Sequence, residues 1–73
     1  MNSAIEQIVD AYVGLGNLQA LQELRLHREK LATAVRNRTD FNYAVLLGQI
    51  DDDILAIENG LDRLRRKAEP RDG

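Results

Sequence analysis

The chain has no cysteine and no tryptophan, and only one proline, one histidine, two tyrosines and one phenylalanine. Each shortage closes a route. Without cysteine there can be no disulfide and no thiolate metal site, and His27 alone cannot anchor a histidine-rich one. No apolar run approaches the roughly 18 residues that a membrane-spanning helix needs. The opening Met1-Asn2-Ser3-Ala4-Ile5-Glu6 has neither a basic n-region nor an unbroken apolar stretch, so no secretory signal is expected. A cytoplasmic location is expected, and the thiol-free composition suits a reducing compartment without requiring one.

What remains is a short chain with many aliphatic and charged residues. Seventy-three residues allow one domain, 1–73. A chain of this size buries only about 60% of the surface that its unfolded form exposes, so its stability alone is marginal. Small domains make up the shortfall with disulfides, a metal, close helix packing or self-association. The first two are excluded by composition. Charge is nearly balanced, with 10 basic and 12 acidic side chains, but it is unevenly placed. Residues 1–20 carry two acids and no base, residues 21–43 five bases and three acids, and residues 44–73 five bases and seven acids. Nucleic-acid binders usually gather a basic excess on one face. The mixed signs here argue against DNA and leave a protein partner open.

Hydrophobic spacing predicts three helices. Ile5, Ile8, Val9, Tyr12 and Val13 recur at helical intervals, and Ser3 with Glu6 three residues later forms a capping box, which predicts a first helix over about 3–13. Gly14 and Gly16 should stop it. Asn17 can cap a second helix over 18–36, whose seam is expected to run through Leu21, Leu24, Leu31 and Val35, flanked by Ala20 and Ala34 and interrupted at His27 or Arg28. A loop near 38–42 offers Thr39, Asp40 and Asn42 as caps. The third helix, about 43–67, carries the clearest pattern. Leu47, Ile50, Ile54, Ile57, Leu61 and Leu64 alternate by three and four residues, the a and d spacing of a coiled coil. A frayed tail over 68–73 is expected.

The short second loop predicts an antiparallel hairpin. Folding back at that loop sets Arg28 near Asp53 and Leu24 near Ile57, with the basic end of helix 2 against the acidic start of helix 3. Arg28 then lies in the seam, its stem along Leu24 and Leu31 and its head on Asp53. Such a buried polar residue can fix register or oligomeric state, and Arg28→Leu is expected to raise thermal stability while blurring the oligomer distribution. Gly60, costly in mid-helix, implies a close neighbour there, with helix 1 the first choice. The expected fold class is therefore all-α: a short N-terminal helix followed by a long antiparallel two-helix hairpin, completing a bundle by self-association. Ile5, Ile8, Val9, Tyr12, Leu26 and Leu55 are the expected self-association or partner face, giving a homodimer or higher oligomer.

No catalytic, metal or cofactor site is expected. Asp51, Asp52 and Asp53 are consecutive, so they point about 100° apart on a helix and cannot converge on one ion. His27 has no nucleophile or pocket with which to act as a general base. Phe41 and Tyr43 flank the loop and are expected to plug the hairpin's open end. Arg63, Arg65, Arg66 and Lys67 form the densest basic cluster and could hold an anion, although dipole complementation at a helix end is enough to explain them and is the preferred reading. No aromatic interleaves them for base stacking. The expected function is a small non-enzymatic interaction or assembly module that binds itself and another protein. The alternative is a hairpin dimer that binds RNA or DNA through the basic end of helix 3, helped by Arg25 and Arg28, with no membrane or small-molecule partner in either case.

Overall fold

The first helix starts where local chemistry demands it. The Ser3 hydroxyl oxygen accepts from the Glu6 backbone N–H at 3.3 Å and donates to the Glu6 carboxylate at 3.2 Å, so the two residues close the first turn reciprocally. A computed structural model describes residues 3–38 and 43–68 and gives three helices and no strand among them: α1 (Ala4–Leu15), α2 (Leu18–Arg36) and α3 (Ala44–Ala68). Ala68, the first residue of the tail expected over 68–73, still belongs to α3, while residues 69–73 and Thr39, Asp40, Phe41 and Asn42 lie outside the described residues.

α1 runs two residues beyond its expected end. Gly14 stays helical, and the stop is made by Gly16 in the left-handed region at φ 67°. The N–H of Gly16 bonds the Val13 carbonyl at 3.0 Å, and that of Asn17 bonds the Tyr12 carbonyl at 2.9 Å. These are the two closing bonds of a Schellman cap, a geometry that suits glycine because it carries no Cβ. Asn17 then caps the next helix at once, its side-chain oxygen accepting from the Ala20 N–H at 3.1 Å. Only Gly16 and Asn17 therefore separate α1 from α2, which folds the two helices back on each other.

α2 and α3 form the antiparallel hairpin. Arg28 reaches Asp53 at 3.2 Å and Arg36 reaches Asp51 at 3.3 Å, which fixes the register expected from the charges. α1 lies mainly on α3 rather than on α2. Val9 sits over Gly60, and Asp10 pairs with Arg63 at 2.8 Å, so α1 covers the C-terminal half of α3 and runs parallel to it. Gly60 is the close-approach position the sequence implied.

The core forms where all three helices meet. Ile5, Val9 and Val13 of α1, Leu21 of α2 and Ile57 of α3 make one buried cluster, with Tyr12, Leu24, Ala56, Leu61 and Leu64 packed around it. Burying a side chain of this kind contributes about 1.5–3 kcal/mol. Two expectations about the seams need correction. On α2, Ala32 is buried while Leu31 is 40% exposed, so Ala32 takes the place assigned to Leu31. On α3, Ile50 and Ile57 are fully inside, whereas Leu47, Ile54, Leu61 and Leu64 are half-buried. One neighbouring helix can cover only the centre line of a stripe, and α1 is too short to cover the rest.

Length makes that last point quantitative. At 1.5 Å per residue, the 12 residues of α1 span about 18 Å and the 25 residues of α3 about 37 Å. Near the α2–α3 loop the molecule is thus only two helices deep. The chain measures 56 × 25 × 18 Å and its radius of gyration is 14.5 Å, against about 11 Å for a compact domain of this length.

Candidate interaction surface

α1 rests in a bed formed by one side of α2 and one side of α3. On α3 that bed includes Gly60, beneath Val9. Seven residues earlier along the same helical line is Asp53, and seven earlier again is Leu46, each step drifting by only about 20°. On α2 the bed includes Leu24, packed against the core cluster, and one heptad further on is Leu31. The bed therefore continues past the N-terminus of α1 toward the loop, lined there by Leu31, Leu46 and the half-buried Val35. Leu31 and Leu46 are each 40% exposed. Leucines on a core-facing line are exposed here because the helix that covers the other half of the line ends too soon.

Arg28 and Asp53 stand where the covered half gives way to the open one. Their side chains keep 23% and 31% of their accessible surface, so the pair is neither dry nor free in solvent. The Arg28 guanidinium also lies 2.7 Å from the Nδ1 of His27, a contact in which the arginine can only donate. His27 is exposed and serves as a second anchor for the Arg28 head. Replacing a seam arginine by an aliphatic residue of similar length removes a desolvation cost and leaves the Asp53 carboxylate in contact with solvent. Arg28→Leu is expected to raise the thermal midpoint by about 4–8 °C, the shift that ~1 kcal/mol gives in a domain of this size. A circular-dichroism melt checks this, and a lower midpoint would show that the ion pair holds the seam.

No protein-family model, curated protein or solved structure matches the chain. Its surfaces must therefore be weighed on their own chemistry.

The six residues expected as a partner face are divided by the fold. Ile5 and Val9 are buried in the chain's own core, and Tyr12 packs against it. Ile8, Leu26 and Leu55 are exposed, but they lie on three different helices. Leu55 is 65% exposed and lies on the flank of α3, where it lines a shallow pocket with Glu6 and Asp10 of α1. The six do not make one surface. Leu31 and Leu46 were not among them, because their spacing marked Leu31 as core and gave Leu46 no role.

The basic cluster is largely occupied by neighbouring acids. Arg63 pairs with Asp10, while Arg65 and Arg66 both reach Asp62, at 3.2 and 2.9 Å. The Nε of Arg63 is buried without a hydrogen-bond partner, so this guanidinium faces α1 and not an open anion site. Lys67 is exposed at the rim of a shallow groove where the α1–α2 turn meets the end of α3. Val13, Leu15, Leu18, Leu61 and Leu64 line that groove, and Arg25 and Glu58 join Lys67 at its edge. The rim mixes both signs and shows no convergent polar set.

Asp51 and Asp53 are each engaged with an arginine of α2. Among the described residues, no group of three or more histidine, cysteine or acidic side chains could hold a metal ion. Tyr43 is half-buried at the start of α3, and its expected companion Phe41 lies outside the described residues. Among the described residues, no helix is long and apolar enough to cross a membrane.

Proposed function

We propose that this chain is a small non-enzymatic protein-interaction module whose docking face is the open half of the bed between α2 and α3. One observation carries the reading: Leu31 and Leu46 lie on the same helical lines as Leu24, packed against the core cluster, and Gly60, covered by Val9, yet each is 40% exposed. Aliphatic side chains so aligned offer an apolar face on which a helix can pack, and docking the apolar face of a helix is a common mode of protein recognition. The cytoplasmic setting belongs with this reading and rests on the thiol-free composition.

The test is dye binding at high dilution, where associated chains come apart. Anilinonaphthalene sulfonate fluorescence is expected with the parent chain and lost when Leu31→Asp and Leu46→Asp are combined. Equal fluorescence from both chains would mean that this face is an ordinary solvated surface. The nucleic-acid alternative draws less support, since Arg63, Arg65 and Arg66 already have carboxylate partners. RNA or DNA binding at low salt that collapses as salt rises would reverse that order.

A further inference from the structure

α1 carries a second apolar stripe that its own hairpin does not use. Ala4, Ile8, Ala11 and Leu15 follow one another at intervals of four, three and four residues, and all four are exposed. This is the seam spacing of a helix that packs against another helix. The stripe is rotated by about 100° from the core-facing line of Ile5, Val9 and the half-buried Tyr12, since each of its first three members directly precedes a member of that line. Its small residues, Ala4 and Ala11, would let another backbone come close, while Ile8 and Leu15 supply side chains that could enter a groove.

The chain thus holds both halves of a contact that it cannot make with itself. α1 spans about 18 Å, and the part of α3 that it leaves open is about 19 Å long.

We propose that a second copy of this chain is the occupant of the open bed, in a two-fold dimer with the chains running in opposite directions. The Ala4, Ile8, Ala11 and Leu15 stripe of each α1 seats on the Leu31 and Leu46 stretch of the other copy. Symmetry then makes the contact twice and closes it, so assembly stops at two. The opposite direction follows from α1 itself. If the copies ran the same way, the two α1 helices would meet and hold both open halves apart. Antiparallel, each α1 lies opposite an open half. This proposal rests on the docking face described above and names what fills it.

Sedimentation equilibrium over roughly 1–100 μM tests it. The expected mass is about 16 kDa, twice the 8.2 kDa of one chain. Ile8→Asp and Leu31→Asp, on opposite sides of the contact, are each expected to weaken association about 100-fold or more, because each buries an unpaired charge. Leu55→Asp, on the flank of α3 beside Glu6 and Asp10 and away from the open bed, is expected to change nothing. Circular dichroism establishes that each variant is folded. Should either aspartate variant unfold, single thiols replace them, which the cysteine-free chain makes unambiguous. An oxidised mixture of the Ile8→Cys and Leu31→Cys chains is expected to give a disulfide-linked pair, and Leu55→Cys in place of Ile8→Cys to give none. A parent chain that stays at one-chain mass throughout overturns the proposal, as does a dimer broken by Leu55→Asp alone. The dye experiment separates the failures: a monomer whose dye binding depends on Leu31 and Leu46 keeps the docking face and loses only the second copy. A monomer without dye binding loses both.

Discussion

Ile57→Ala is expected to remove about 3–4 kcal/mol, a large share of the stability a chain of this size can hold. Ile57 is wholly buried where α1, α2 and α3 meet, within the cluster of Ile5, Val9, Val13 and Leu21. Truncating a buried isoleucine to alanine costs about 2–5 kcal/mol, the upper part of that range applying where the surroundings cannot collapse into the cavity. Collapse is hard here, because Ile57 is walled on different sides by different helices. The total available is small: at about 0.05–0.15 kcal/mol per residue, 73 residues give roughly 4–11 kcal/mol. Urea unfolding at fixed protein concentration measures the loss, and Ile57→Val is the conservative control at about 0.5–1.5 kcal/mol. A loss below 1 kcal/mol for the alanine variant would show that α1 does not close over this side chain.

Much of this packing is legible in the sequence because it follows from local patterns. Ser3 and Glu6 announce the start of α1, and the three-four alternation from Leu47 to Leu64 announces α3. Arg28 opposite Asp53 follows from counting back across a short loop, and the pair is found at 3.2 Å. Gly60 reads as a close approach because glycine in a helix needs some compensating gain. The end of α1 is misjudged by two residues. Two glycines in three positions look like one breaker, but only Gly16 adopts the left-handed conformation, while Gly14 continues the helix.

The less legible features all depend on how far α1 reaches. Apolar spacing on α2 admits both Leu31 and Ala32 next to the seam, and the larger side chain looks the better core residue. The structure buries Ala32 because it faces α3 directly, whereas Leu31 faces the bed at a point that α1 never reaches. Nothing within α2 encodes that difference. It is set by the length of another helix and by where that helix docks. For the same reason Ile5 and Val9 read as spare apolar surface although they fill the chain's own core. The basic cluster is similar. Arg63 counts as a free cation until Asp10, 53 positions earlier, is brought to 2.8 Å. Charge patterns along a chain reveal neighbours within one helix, and only docking reveals the rest.

The docking of α1 has a test in which one chemical change gives opposite signs at two sites. Gly48 and Gly60 are both inside α3. A Cβ added at Gly48 meets nothing within 4 Å, so Gly48→Ala is expected to stabilise by about 0.5–1 kcal/mol, the ordinary advantage of alanine over glycine in a helix. A Cβ added at Gly60 would overlap the Cγ1 of Val9 and touch the Cγ2 of Val13 at 3.4 Å. Valine in a helix is held in one strongly preferred rotamer, so Val9 cannot swing aside, and α1 must lift from its bed. Overpacking of this kind costs about 1–3 kcal/mol. Gly60→Ala should therefore be destabilising by about 1–2 kcal/mol despite the same gain in helix propensity. Val9→Ala in the Gly60→Ala background removes the obstructing methyl and should cost less than Val9→Ala alone, a coupling of at least about 1 kcal/mol between residues in direct contact. Urea midpoints of the single and double variants give all these quantities. If the two glycine substitutions moved stability in the same direction by the same amount, α1 would not be resting on α3 at Gly60, and the bed, its open half and the stripe facing outward would lose their common basis.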